Sequence, residues 1–527
     1  MLPWPVMWIW NWAYSGAMLF VAFTLLGYFI RSRVKLVVIP VLAWGLAAVG
    51  LWSGLRLPDV VETELEFPDL PPALDGYRIL QLSDLHISAS VRRWRTEGIV
   101  ARANAAGADL IVVTGDIADG EPKLLADDVE PLRNLRAKDG VYFITGNHES
   151  GTFVNPRNLK HIRKIYNGDD AEVRRQLLRT NFAYWWEKAF HEPYERFYHK
   201  NVKGYDFLNA HWDDGTRLEP EMSMEGHTWA FLRERFGYDL KAWLDANKSK
   251  LDPRKPFFYQ QHRNLWHTTY GDWGWNHDKG LATKVLSDFP NAVTFSGDTH
   301  FSLTDERSIW QGAFTALGTA TLRYSGLPYD SRDFAAFENS EAKYRHRAAY
   351  DPLKTMPAYT PFLCRQGLVI SVYDDRMVIE RRDFYGKQPL GDDWVVPLSA
   401  ARPYAFAGRA KACAAPQFPP AARLSVRRTT AKTRGDAKTP AVEKDVVEIV
   451  IPAACPTANR CIEYAVTAYG ADGKTAEFNV LAEGFDRPPS HPRAKASVVC
   501  NFALDELPKG DMRFVVTPMN CFHTRGR

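Results

Sequence analysis

The sequence predicts an α/β domain on a parallel sheet, with a transmembrane helical hairpin before it and a small β-sandwich after it. Three observations predict this. The first is a set of polar strings, Asp84-Leu85-His86, Gly115-Asp116-Ile117-Ala118-Asp119 and Gly146-Asn147-His148-Glu149, each following a strand-like run at 77–83, 109–114 and 141–145. The second is the absence of any charged side chain from the first 30 residues. The third is a series of short alternating segments after residue 446, spaced as in a sandwich.

Asp116 follows Asp84 by 32 residues, and Asn147 follows Asp116 by 31. A strand–helix–strand unit takes roughly 30 residues, and the runs 91–106 and 127–137 supply the two crossover helices. Parallel strands joined this way present their carboxyl ends along one edge, where open α/β sheets place their sites. The chain then changes character. Residues 150–255 are rich in aromatics, including Trp185, Trp186, Tyr194, Phe197, Tyr198, Trp212, Trp229 and Trp243. They read as a cap or insertion over the site, or as added core. A helix is expected over 233–248. Strands at 256–261 and 292–296, with a helix at 280–288 between them, end on His262 and on Gly297-Asp298-Thr299-His300. The segment 314–324 and a hairpin over 368–384, turning at Asp374-Asp375, are expected in the second sheet.

The uncharged run 7–30 spans 24 residues, enough to cross a hydrocarbon layer of roughly 30 Å as a helix. Arg31, Arg33 and Lys35 follow, then a second uncharged run over 36–55. Two spans and a short basic loop make a hairpin of residues 1–56. The cations put its loop in the cytoplasm and both ends outside. Asp59, Glu62, Glu64, Glu66 and Asp69 stand against Arg56 alone in the next segment, which agrees. Trp4, Trp8, Trp10, Trp12 and Trp52 gather near the outer ends. A cleaved signal peptide is the alternative, opposed by the missing positive n-region and the second span. On this reading the chain sits in the inner (cytoplasmic) membrane with its catalytic domain periplasmic.

A chain of 527 residues exceeds one core. The expected divisions are 57–400 for the catalytic domain, 401–445 for linker and loops, and 446–527 for the sandwich, with a start as early as 416. Its strands are placed at 446–451, 463–469, 477–482, 496–502 and 512–517. A net charge of +4 and the lack of a basic block give no case for a nucleic-acid partner. Arg427, Arg428, Lys432 and Arg434 read as a solvated loop. Five of the six cysteines lie at or after Cys413, and no C-x-x-C pair occurs, which argues against a zinc ribbon. Outside the cytoplasm Cys455 could pair with Cys461, or Cys500 with Cys521; buried thiols are the other reading.

Hydrolysis of a phosphate ester at neutral pH needs an activated water and relief of charge on the phosphoryl oxygens. Two divalent cations roughly 3.5–4 Å apart do both, given a bridging carboxylate and terminal N and O ligands. The five elements in this order, each at a strand end, resemble the calcineurin-like metallophosphoesterases. The resemblance implies a four-layer α/β/β/α sandwich. It also implies that Asp84, His86 and His300 hold one ion, that Asp116 bridges, and that Asn147 and His262 hold the second. His148 would touch the phosphate and protonate the leaving oxygen as general acid. Asp119 and Glu149 would orient ligands. His267 competes with His262, which is favoured because it directly ends its strand. The family's last motif is usually Gly-His-x-His, and here its first histidine is Asp298. As a ligand, that carboxylate adds negative charge and hardness, moving preference from soft thiophilic ions toward manganese or iron, with zinc still a candidate, and leaving occupancy of the second site open.

Residues 1–150 resemble membrane-anchored bacterial phosphoesterases. Residues 180–527 resemble envelope metallophosphoesterases, through Ser296-Gly297-Asp298-Thr299-His300-Phe301, Asp305-Glu306-Arg307-Ser308-Ile309 and Gly312-Ala313-Phe314-Thr315. Their closing sandwich is fibronectin-like, and 518–522 is similar to its end. The expected function is a membrane-anchored dinuclear metal-dependent phosphoesterase, acting on phosphodiesters of lipids or envelope glycans. The alternatives are a phosphomonoesterase, or a non-catalytic envelope-binding protein with a degenerate metal site.

Overall fold

The segment Tyr-Arg-Ile-Leu-Gln-Leu sends successive side chains to opposite faces, and both faces are covered: Ile79 enters one core, Leu80 and Leu82 another. In the computed structural model this segment is the first described element. The structure describes residues 77–87, 93–118, 129–151, 186, 190–191, 193–212, 229–253, 255–270, 280–323, 365–384, 388–432, 440–454, 461–482, 497–522 and 524–526. The chain divides into units Met1–Glu64 and Leu65–Arg527, and every described residue belongs to the second. The expected hairpin of residues 1–56 lies outside the described residues. Among those described, no helix is long and apolar enough to cross a membrane.

Strands β1 (Tyr77–Leu82), β2 (Leu110–Thr114) and β3 (Val141–Ile144) are parallel neighbours, with Leu80 level with Ile111 and Ile111 with Val141. Helix α1 (Arg93–Ala105) lays Ile99, Val100 and Ala103 on Leu80, Leu82, Ile111 and Val113. The second expected crossover helix, 127–137, is instead a 3₁₀ turn, Glu130–Asn134: in the longer helix Pro131 would be the fifth residue and lose an i→i−4 bond, whereas in the turn it sits at the start, where no N–H is needed. A short helix, α2 (Asn147–Gly151), follows β3 directly.

The second sheet is built from β4 (Phe197–Val202), β5 (Tyr205–Ala210), β6 (Phe257–Gln261), β7 (Ala292–Ser296), β8 (Ile309–Gln311) and β9 (Thr315–Gly318). Its order is β4-β5-β6-β7-β9-β8, with β5, β6, β7 and β9 parallel. Helix α3 (Trp229–Asn247) brings Phe236, Leu240 and Leu244 to its outer face, and α4 (Leu281–Leu286) brings Ala282 and Leu286. On the inner face Phe207, Phe258, Phe295 and Leu317 meet Ile79, Leu110 and Val112 of the first sheet. Helix, sheet, sheet and helix thus stack in layers.

The hairpin of β10 (Gln366–Val372) and β11 (Arg376–Asp383) turns at Asp374-Asp375 as expected, but joins the first sheet rather than the second. Every residue of β10 is buried, and both its faces are covered: Ile370, level with Ile79, lies in the inter-sheet core, and Val369, level with Leu80, in the core on the helix side. Strands β12 (Gln388–Pro389) and β13 (Trp394–Pro397) both pair with β11.

The described part of 150–255 belongs to this fold. Strands β4 and β5 form an edge of the second sheet. Trp186 and Tyr194 pack with Leu132 and Phe143, while Phe197, Trp212 and Trp243 pack with Phe236. Residues 152–185 and 213–228 lie outside the described residues.

Helix α5 (Phe406–Ala412) leads into β14 (Ser425–Lys432), β15 (Glu443–Pro452), β16 (Cys461–Gly470), β17 (Thr475–Leu481), β18 (Ser497–Ala503) and β19 (Met512–Asn520). They form two antiparallel sheets, β14-β15-β18 and β17-β16-β19, sharing a core of Ile449, Ile451, Val466, Val480 and Phe502. Strand β14 carries Arg427 and Arg428 where the sequence reads as loop. Cys500 lies in this core and Cys521 packs near Phe406 and Trp310, both as thiols, so that pairing is not made. Cys461 is also a thiol, 3.3 Å from the Glu463 carbonyl it donates to.

Candidate metal centre

Both sheets end at one polar edge. Strands β1, β2 and β3 deliver Asp84, His86, Asp116, Asn147 and His148; β6 and β7 deliver His262, Asp298 and His300. Backbone bonds tie these ends together: Asp84 N–H donates to Gly115 O (3.1 Å), His86 N–H to Asp116 O (2.9 Å) and Gly297 N–H to His262 O (2.9 Å). Asp84, His86, Asp116, Asp298 and His300 all have positive φ, between 44° and 67°. Such conformations cost a non-glycine residue about 1–3 kcal/mol and cluster at functional sites. The motif glycines have a steric reason. A Cβ on Gly146 would overlap the Asp116 carboxylate, and one on Gly297 would overlap Ser83 Oγ and Asp84 Oδ2.

Asp84, His86, Asp116 and His300 are buried, and each offers a ligand atom within 4.8 Å of the others. His300 Nε2 lies 2.9 Å from both Asp84 Oδ1 and His86 Nε2. His86 Nε2 is 3.6 Å from Asp116 Oδ2. Two imidazole nitrogens and two carboxylates turned toward one point make a donor set suited to a divalent transition metal.

Asp116 also reaches a second group. Its Oδ1 lies 3.2 Å from His262 Nε2, which is 3.1 Å from Asn147 Oδ1. His262 Nδ1–H donates to the Thr114 carbonyl (2.8 Å), which leaves Nε2 facing the carboxylate. Asp116 thus faces donors on both sides, the geometry asked of a bridge. His267 is exposed and stacks on Trp266 instead. His148 donates its backbone N–H to Asp116 Oδ1 (2.9 Å), while its side chain is 38% exposed, far more open than the 1% of Asp116. Asp298 donates its N–H to Asp84 (3.1 Å), but its carboxylate Oδ1 accepts from Arg263 Nη1 at 2.8 Å and stands 3.9 Å from His262 Nε2. Asp119 lies outside the described residues.

The electrostatics fit a cation. Burial drives the His86 pKa down to about 4, against the pull of Asp116, so its imidazole is neutral at pH 7. Burial opposes charge on Asp84 and Asp116, yet the surrounding histidines outweigh it and hold both below the usual range. Burial would also lower His262, but Asp116 and Asp84 carry it up to about 10. The negative potential that holds that proton is the one a divalent cation would occupy. Glu149, raised to about 8 by burial and then by Asp116, accepts from Ala118 N–H (2.8 Å) and Gly146 N–H (2.6 Å). It latches two motif loops together.

Three contributors escaped the sequence reading. Ser83 Oγ donates to Asp84 Oδ2 at 2.5 Å. His211 Nδ1 accepts from Thr145 N–H at 3.1 Å, bracing the loop before Asn147. Arg263 Nη1 donates to Asp298 Oδ1 at 2.8 Å, and no local pattern in the sequence pairs two residues 35 apart.

The site therefore gathers, at the carboxyl ends of the parallel strands, a buried Asp84, His86, Asp116 and His300 cluster that could hold a metal ion, with Asp116 also facing His262. The calcineurin-like phosphoesterase family model matches residues 77–302, so the described site lies in a calcineurin-like metallophosphoesterase domain. A transmembrane protein with metallophosphoesterase domain from Danio rerio is 36% identical over 104 residues, 20% of this chain and 24% of that protein. A UDP-2,3-diacylglucosamine pyrophosphatase from Chlamydia muridarum is 28% identical over 159 residues, 28% of this chain and 46% of that protein. The crystal structure of a dimetal phosphatase from Danio rerio, 15% identical, aligns over 62% of this chain and 100% of its own at a TM-score of 0.33. The chain spans about a quarter of the length of the transmembrane relatives it matches.

Proposed function

We propose that this chain is a membrane-tethered, dinuclear metal-dependent phosphoesterase that cleaves phosphodiesters outside the cytoplasm. The observation that carries the reading is the buried convergence of Asp84, His86, Asp116 and His300 within 4.8 Å, with Asn147 and His262 on the far side of Asp116. Asp84, His86 and His300 would hold one ion, Asp116 would bridge, and Asn147 and His262, with Asp298 beside them, would hold the second. When bound, two such cations would activate a water and take up charge on the phosphoryl oxygens. His148, anchored through its backbone to the bridging carboxylate, directs an accessible imidazole toward the substrate side. It donates the proton that the leaving alcohol needs. Glu149, Thr114 and Ser83 hold the ligands in place without touching substrate.

The tether rests on the uncharged runs before residue 56, and the transmembrane protein with metallophosphoesterase domain from Danio rerio supports it by name. Reporter fusions after Asp69 are expected to be active as a periplasmic phosphatase and silent as a cytoplasmic reporter; the reverse would contradict the tethered topology. An acyl-bearing phosphate compound as substrate is supported by the name of the Chlamydia relative, a UDP-2,3-diacylglucosamine pyrophosphatase. The activity test is a panel with the full chain and manganese. Hydrolysis of bis-p-nitrophenyl phosphate above p-nitrophenyl phosphate supports a diesterase, the reverse order a monoesterase, and hydrolysis of neither a non-catalytic protein.

A further inference from the structure

Arg263 follows His262 at the end of β6 and is only 5% exposed. Its Nη1 donates to Asp298 Oδ1 at 2.8 Å, and its guanidinium lies 5.9 Å from the Trp212 ring centroid. Its carbonyl accepts from Gln261 Nε2 at 2.7 Å, fixing the backbone it hangs from. The bonded oxygen matters: Asp298 Oδ1 is also the atom 3.9 Å from His262 Nε2. The oxygen of Asp298 recorded nearest the second position is therefore shared with a cation.

Charge gives this pair its meaning. Asp84 and Asp116 are each within 4.0 Å of His262 Nε2, so Asp298 adds a third carboxylate to that ring. A buried carboxylate in like-charged surroundings is held in place by a paired, hydrogen-bonded cation. We infer that Arg263 is a positioning residue that fixes Asp298 and cancels its charge, so that the second ion meets the two as a neutral pair. This rests on the metal-site reading above and adds the determinant of second-ion affinity.

The experiment is calorimetric titration of the full chain with Mn²⁺, resolving first-ion and second-ion affinities, with a thermal melt of each metal-free variant to check folding. Arg263→Met leaves a bare carboxylate, and second-ion affinity is expected to rise about tenfold. Asp298→Asn leaves a bare guanidinium, and affinity is expected to fall about tenfold. The double variant should return close to wild type, the sum of the two opposite single effects. Arg263→Lys keeps the charge and should stay within about threefold of wild type. Should Arg263→Met fail to fold, Asp298→Asn and Arg263→Lys still decide: a loss in the first without a loss in the second supports the inference, and any other pattern overturns it. Second-ion binding that is unchanged or weaker in folded Arg263→Met overturns it directly. If wild type binds two ions and the variants do not separate, only this inference falls. If wild type binds none, the metal-site reading falls with it.

Discussion

The polar edge of the two central sheets and the C-terminal sandwich are built by opposite rules. The edge buries Asp84, His86, Asp116 and His262 against one another and bends five proposed ligands into positive φ. Among the described residues after 365, positive φ occurs only at Gly473 and Gly510. The sandwich fills its core with Ile449, Val466, Val480 and Phe502, and its buried Glu463 is bonded by Asn479 at 3.0 Å. One region stores strain and like charge; the other stores packing. Changes at the edge should therefore remove activity while sparing stability, and changes in the sandwich should do the reverse.

The largest expected effect is at the bridge. Asp116→Ala should lower kcat/KM by more than about 10³-fold, over roughly 4 kcal/mol of barrier. The metal-free melting temperature should fall only modestly, because the variant loses the Asp116–His262 pair but also relieves the like-charge crowding of Asp84 and Glu149. A large loss of stability would break the comparison.

His148→Ala comes next. Loss of a positioned acid typically costs 10²–10⁴-fold, and the loss should be greatest for esters of poorly departing alcohols and smaller for nitrophenyl esters. Manganese content should stay near wild type, since the imidazole is the open one. Equal losses on both ester types would reduce His148 to a phosphate contact.

In the sandwich, Phe502→Ala empties a fully buried site and should cost about 3–5 kcal/mol of stability. Turnover per folded molecule should be unchanged, measured below the melting transition. A fall in turnover would show that the sandwich shapes the site.

The smallest effect belongs to a contact between the regions. Glu306 accepts from Arg381 at 2.7 Å and Trp394 at 3.2 Å, and pairs with Arg409 on α5. Burial would raise its pKa, but Arg381 and Arg409 outweigh burial and lower it. A depressed carboxylate contributes stability that is present above the unfolded value of about 4.3 and lost as pH falls through the folded value. Glu306→Gln should therefore melt lower than wild type at pH 7, and the gap should close below about pH 4. A gap independent of pH would assign Glu306 a packing role.

How much of this was legible follows from where the signal sits. Strands β1, β2, β6 and β7 are mainly apolar runs that stop at a polar motif, and the expected ends lie within a residue or two of the observed ones. The polar motifs at those ends are the ones the fold gathers at one edge, with Asp84, His86, Asp116, Asn147, His148, His262 and His300. Pairing partners were not legible: the hairpin of β10 and β11 has no local feature that says which sheet it joins. Strand β14 escaped because most of its residues are exposed, so no period-two pattern marks it. Arg263 escaped because its partner is 35 residues away and only the fold brings them together.

The central claim is that the polar edge holds two divalent ions bridged by Asp116. Mn²⁺ titration of the full wild-type chain beside Asp116→Ala tests it most directly. The account predicts two ions per wild-type chain, and loss of the second together with marked weakening of the first in the variant. A wild-type chain that binds none, or an Asp116→Ala chain that still binds two with unchanged affinity, would contradict it.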